Sequence, residues 1–95
     1  MTRDKKIFLI TTKGCAGCEI MKDIIKQVAE EATGIGIYIK DIVDVPQYIK
    51  VDVPLDDFPA IVFVDGYDVK YYHIGTISMA KLTAKMLELG FTQSQ

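Results

Sequence analysis

Apolar and polar positions along this chain repeat with two different periods, and each change of period marks a change of element. Lys6 to Thr11, KIFLIT, is almost continuously apolar and rich in strand formers, which predicts a central strand covered on both faces. Gly14 interrupts the pattern. From Cys18 onward, Ile20, Met21, Ile24, Ile25, Val28, Ala29 and Ala32 form one stripe, while Glu19, Lys22, Asp23, Lys26, Gln27, Glu30 and Glu31 fill the other side. That spacing predicts an amphipathic helix, with Gly34 and Gly36 offering a left-handed stop. Gly36 to Asp41, GIYIKD, alternates as a second strand. A strand, helix, strand unit of this length implies a parallel pair joined by a right-handed crossover.

The second half reads differently. Pro46, Pro54 and Pro59 interrupt the stretch from Ile42 to Pro59, where only a short helix through Tyr48 and Ile49 is expected, with Pro46 in its first turn. Ala60 to Asp65, AIVFVD, is a further strand. Asp65, Gly66, Tyr67 and Asp68 then turn the chain into a last strand at about Lys70 to Gly75, so the two form a β-hairpin. Ser78 is placed to cap a final helix with Met79, Leu82, Met86 and Leu89 on one face and Gly90 closing it. The predicted order is β-α-β, irregular or short helix, β-β-α, without internal repeat or linker. Ninety-five residues suit one domain, residues 1–95 with a core at about 6–89.

Composition narrows the function classes. The chain is 49% hydrophobic and 25% charged, the balance of a compact globule rather than a disordered segment. A net charge of -2 and scattered basic residues argue against nucleic-acid binding, which depends on clustered Lys and Arg. Only Arg3 to Lys6 is locally basic, and it reads as a solvated tail. The start MTRDKK leads into four strongly apolar residues, short of a secretory h-region, and no window reaches the length of a membrane span. The expected setting is therefore cytoplasmic, where thiols are kept reduced.

Two cysteines, Cys15 and Cys18, are the only ones in the chain. The spacing CxxC, directly between a strand and an amphipathic helix, points to a redox dithiol. At a helix N-terminus the two intervening residues fold the second sulfur back toward the first, and Ala16 and Gly17 put no bulky side chain in the way. Free backbone N–H groups and the positive dipole end stabilise an anion there, so Cys15 is the expected nucleophile and the more buried Cys18 the resolving thiol. Two other readings stay open. A tetrahedral metal site needs two further ligands, and the rest of the chain offers only His73, so such a site would have to be shared between two chains. Alternatively, both cysteines serve as small buried hydrophobes.

GCAGC after KIFLITTK, then DFPAIVFVDG, then YYHIGTIS before a last helix, resemble the thioredoxin and glutaredoxin family of dithiol oxidoreductases over about Lys6 to Leu89. The resemblance implies an α/β thioredoxin fold of minimal, glutaredoxin-like size, a four-stranded mixed sheet flanked by helices. It also implies a cis-proline at Phe58-Pro59 opposite the dithiol, whose kink would turn the Phe58 backbone outward for an extended substrate to pair with as an added strand. Gly14, Ala16, Gly17, Phe58, Pro59 and Gly75 are then the expected substrate-binding residues. The implied partners are disulfide-containing proteins and a reductase or low-molecular-weight thiol as electron donor, and the expected form is a monomer without cofactor, metal, membrane or nucleic acid. A second expectation, from a different class, is a binding module that keeps this fold and uses the Phe58-Pro59 groove without turnover.

Several positions depart from the family pattern. Gly14 stands where thioredoxins carry Trp, and Leu9 where they carry a buried aspartate that assists proton transfer from the resolving thiol. Gly75-Thr76-Ile77-Ser78 replaces the glutathione-holding Gly-Gly-Asp of glutaredoxins, and the interior Ala16-Gly17 matches neither main branch. Lys13 can stabilise a Cys15 thiolate through space, with Glu19 acting in the opposite sense. His73 falls in the last strand, with nothing in the spacing to bring it to the dithiol, and Tyr67, Tyr71 and Tyr72 are accounted for by strand propensity.

Overall fold

The computed structural model describes residues 4–32 and 34–91. Arg3, at the basic start, lies outside them. The described chain forms an open four-stranded sheet of order β2-β1-β3-β4, with β1 at Lys5–Thr11, β2 at Gly36–Asp41, β3 at Ala60–Asp65 and β4 at Asp68–Ile74. Three α-helices accompany it, α1 at Ala16–Glu31, α2 at Gln47–Asp52 and α3 at Met79–Leu89. β1 runs parallel to β2 and antiparallel to β3, and β3 is antiparallel to β4. The sheet is mixed, as expected, and the arrangement is consistent with a minimal thioredoxin-like fold.

Why β1 and β3 are central follows from their side chains. Ile7 to Ile10 and Ala60 to Val64 are buried on both faces of the sheet, so neither strand could sit at a wet edge. On one face Ile7, Leu9, Ile61 and Phe63 pack against Met21, Ile25 and Val28 of α1, Leu82 and Met86 of α3, and Phe91. On the other, Phe8, Ile10, Val62 and Val64 meet Val45, Ile49 and Val53 in and around α2. Alternation along each strand thus feeds two separate cores, one under a pair of helices and one under a single short helix.

Most predicted boundaries hold to within a residue or two, and four points differ. α1 begins at Ala16, because Cys15 itself acts as N-cap. Its buried stripe is Cys18, Met21, Ile25 and Val28, whereas Ile20 is 57% exposed. The apolar stripe of the sequence is thus wider than the buried one: Met21, Ile24, Ile25, Val28 and Ala32 pack on the core, while Ile20 and Ala29 face solvent. α1 closes on Ala32 in extended conformation, its N–H donating to the Val28 carbonyl, rather than on Gly34 or Gly36. Gly36 instead opens β2. Finally, Pro46 is the N-cap residue of α2 rather than part of its first turn, and a 3-10 turn over Ile42–Asp44 precedes it, capped by Asp41, whose Oδ1 accepts from the Val43 N–H at 3.1 Å. At the end of the chain, Ser78 caps α3 through the Lys81 N–H, and Gly90 closes it as expected.

Candidate active site

β1 ends at Thr11, and the chain crosses Thr12 to Gly14 to reach the start of α1. Cys15 is the last residue with extended backbone, at φ -105 and ψ 104, and Cys18 lies one turn inside the helix. This places their Cα atoms 5.2 Å apart, within disulfide reach, and the two sulfurs are bonded to each other. Cys15 Sγ also accepts the Cys18 N–H at 3.1 Å, so the sulfur itself satisfies one of the orphan amides of the first turn. Environments differ sharply along this turn. Cys18 is 1% exposed, whereas Cys15 is half-buried and reachable from solvent.

The wall facing this turn comes from two other elements. The Phe58-Pro59 bond is cis, as the family pattern implied. Pro59 is buried directly before β3, and Phe58 packs into the α2-side core. Gly17 is where the wall and the helix meet: a Cβ on it would lie 3.1 Å from Cδ of Pro59 and 3.1 Å from Cγ2 of Thr76. That approach is closer than most side-chain contacts, so the absence of a side chain at Gly17 is what lets α1 sit against both. Gly75 joins them. Its N–H donates to the Pro59 carbonyl at 2.7 Å, which pins the end of β4 to the proline, and its φ of +100 turns the chain away in a conformation that favours glycine.

Gly17 and Pro59 therefore meet at the first turn of α1, and Gly75 is bonded to the proline. Gly14 and Ala16 are exposed on the outer side of the same turn. Lys13, also exposed, borders a groove of about 530 Å³ with Thr12, Asp41, Ile42, Val43 and Asp44. Glu19 faces solvent and pairs with Lys22 at 3.1 Å. Leu9, at the position of the family's buried aspartate, is fully buried among Met21, Ile25 and Ile61. Thr11 is the sole buried polar side chain among the described residues. No family model and no curated protein sequence matches this chain. The disulfide-forming CxxC pair on a thioredoxin-like fold is compatible with a redox-active dithiol and with an oxidoreductase.

Three contributors to this region were not assigned to it from the sequence. Thr76 brings its methyl against Gly17. Met21, assigned to the core stripe, also uses its thioether to accept the Ile77 N–H at 3.5 Å. His73 is linked through its Nε2 to the Thr76 carbonyl at 3.0 Å. Only the threonine left a signal, as part of the Gly75 to Ser78 segment already singled out by its family position. Among the described residues, no group of three or more His, Cys, Asp or Glu converges in a way that could hold a metal ion. Likewise, among the described residues no helix is long and apolar enough to cross a membrane.

Proposed function

We propose that this chain is a thiol-disulfide oxidoreductase that reduces disulfides in proteins, with Cys15 as nucleophile and Cys18 as resolving thiol. The observation that carries the reading is the unequal pair at the start of α1: a half-buried Cys15 sulfur that accepts a helix N-terminal amide, bonded to a buried Cys18. In the dithiol form the same amide and the positive helix end favour the Cys15 thiolate over the thiol, whereas burial opposes ionisation of Cys18.

The reaction runs in two exchanges. Cys15 thiolate attacks one sulfur of the substrate disulfide; that S–S bond breaks, a mixed disulfide forms on Cys15, and the departing substrate thiolate takes up a proton. Cys18 then loses its proton and attacks Cys15 Sγ, which forms the Cys15–Cys18 disulfide and releases the second substrate thiol. Two electrons have moved from the protein to the substrate. A reductase or a low-molecular-weight thiol returns them, together with two protons, to restore the starting dithiol. Phe58 and Pro59, with Gly14, Ala16, Gly17 and Gly75 around them, supply the docking surface for an extended substrate.

Because Leu9 replaces a buried carboxylate, the proton of Cys18 has to leave to water or to the substrate thiolate. The wild-type protein, supplied with dithiothreitol, is expected to accelerate precipitation of reduced insulin well above the dithiothreitol-only rate. If it gives no acceleration with any chemical or enzymatic reductant, the redox assignment fails.

A further inference from the structure

We infer that His73 is a positioning residue for the substrate wall of the dithiol site, acting through Thr76. The inference rests on the exchange reading above. Three tethers hold the segment that leaves β4. Gly75 N–H donates to the Pro59 carbonyl at 2.7 Å, Ile77 N–H meets the Met21 thioether at 3.5 Å, and His73 Nε2 meets the Thr76 carbonyl at 3.0 Å. Since a carbonyl can only accept, Nε2 carries the proton. The tethers are unequal. The Gly75 N–H fixes the peptide before that residue, whereas the Thr76–Ile77 peptide is held only by the imidazole on its carbonyl and by a thioether, a weak acceptor, on its N–H, so it is oriented chiefly by the imidazole.

That peptide matters because of what its side chain touches. Cγ2 of Thr76, together with Pro59 Cδ, would crowd a Cβ on Gly17, each lying 3.1 Å from its position. The methyl therefore stands beside the turn that carries Cys15 and Cys18, on the exposed rim where a polypeptide lying along Pro59 would arrive next. Rotation of the Thr76 peptide moves this methyl and changes the shape met by a polypeptide. A small disulfide, which needs only the sulfur of Cys15, is less sensitive to that shape. His73 lies opposite Ile61 in the β3–β4 pairing and is half-buried, so its backbone is held by the sheet while its ring reaches the Thr76 carbonyl.

The test compares His73→Ala with His73→Gln, whose amide nitrogen can replace Nε2 as donor to the same carbonyl. Pre-reduced protein is mixed with insulin or with hydroxyethyl disulfide, and formation of the Cys15–Cys18 disulfide is followed by acid quench and alkylation. In His73→Ala the ratio of insulin to small-disulfide rate constants is expected to fall about fivefold, the scale of one hydrogen bond, with the loss in the half-saturating insulin concentration. His73→Gln should restore the ratio. In parallel, amide hydrogen exchange without substrate should quicken at Gly75 and Ile77 in His73→Ala and not in His73→Gln. An unchanged ratio and exchange in His73→Ala, or equal losses in both variants, would overturn the inference while leaving the exchange reading intact. A wild-type protein inert toward both disulfides removes the exchange reading itself, and the hydrogen-exchange comparison still decides whether His73 holds the loop.

Discussion

Substituting Cys15 by Ser is expected to take insulin reduction down to the uncatalysed background. The hydroxyl is smaller than the thiol but a better N-cap acceptor, so the fold and the start of α1 survive. What is lost is the nucleophile, because a serine hydroxyl without an adjacent base does not ionise at neutral pH. Cys18 cannot take over. At 1% exposure beneath the first turn, its sulfur is out of reach of a polypeptide disulfide. The loss should be on the order of 10⁴-fold, or as far as background allows, and should be accompanied by an unchanged thermal midpoint in the presence of reductant. Near-wild-type turnover in this variant would mean that exchange runs through another group.

Phe63→Ala should produce the largest change in stability of any single truncation in the core. Phe63 lies in β3, a central strand, is fully buried, and pairs with Ile7 on one side and Tyr71 on the other. Its ring packs edge-on to Tyr71 at 5.4 Å and against Phe91 at 4.9 Å, so truncation removes two aromatic contacts, one to β4 and one to the segment after α3, and leaves a cavity between the sheet and α3. A loss of about 3–5 kcal/mol is expected, a large share of the roughly 5–15 kcal/mol that holds a domain of this kind together. Urea denaturation of the reduced protein measures it. A loss under about 1 kcal/mol would mean that the neighbouring side chains close the space, and that the core is less tightly packed there than the geometry indicates.

Legibility in the sequence followed the strength of the local pattern. β2 and β3 have the predicted bounds, since GIYIKD alternates cleanly and AIVFV is apolar without a break. α3 was equally plain, having a serine cap, a stripe and a glycine stop. The start of α1 was harder to read because its cap is a cysteine, a residue type that signals chemistry rather than a helix boundary. Between Ile42 and Pro59 the three prolines hid a 3-10 turn capped by Asp41, and only the Asp41-Val43 spacing could have revealed it. In the site, the cysteine pair and Phe58-Pro59 were legible as motifs. The Gly17 approach to Thr76 was not, because it depends on where β4 ends relative to α1, a tertiary fact that no local period encodes. For the same reason the His73 to Thr76 link escaped notice: a side chain bonding to a nearby carbonyl across a turn leaves no mark in composition or spacing.

In the proposed exchange Cys15 alone attacks and Cys18 alone resolves. Incubating reduced Cys18→Ser protein with insulin, quenching with acid, and reading the intact mass and the peptide map separates the two roles. A covalent adduct of one insulin chain through Cys15, released by dithiothreitol, is expected, and wild type should not accumulate it because Cys18 resolves it. A Cys18→Ser protein that stays unmodified, with Cys15 still free to react with an alkylating agent, would contradict these roles.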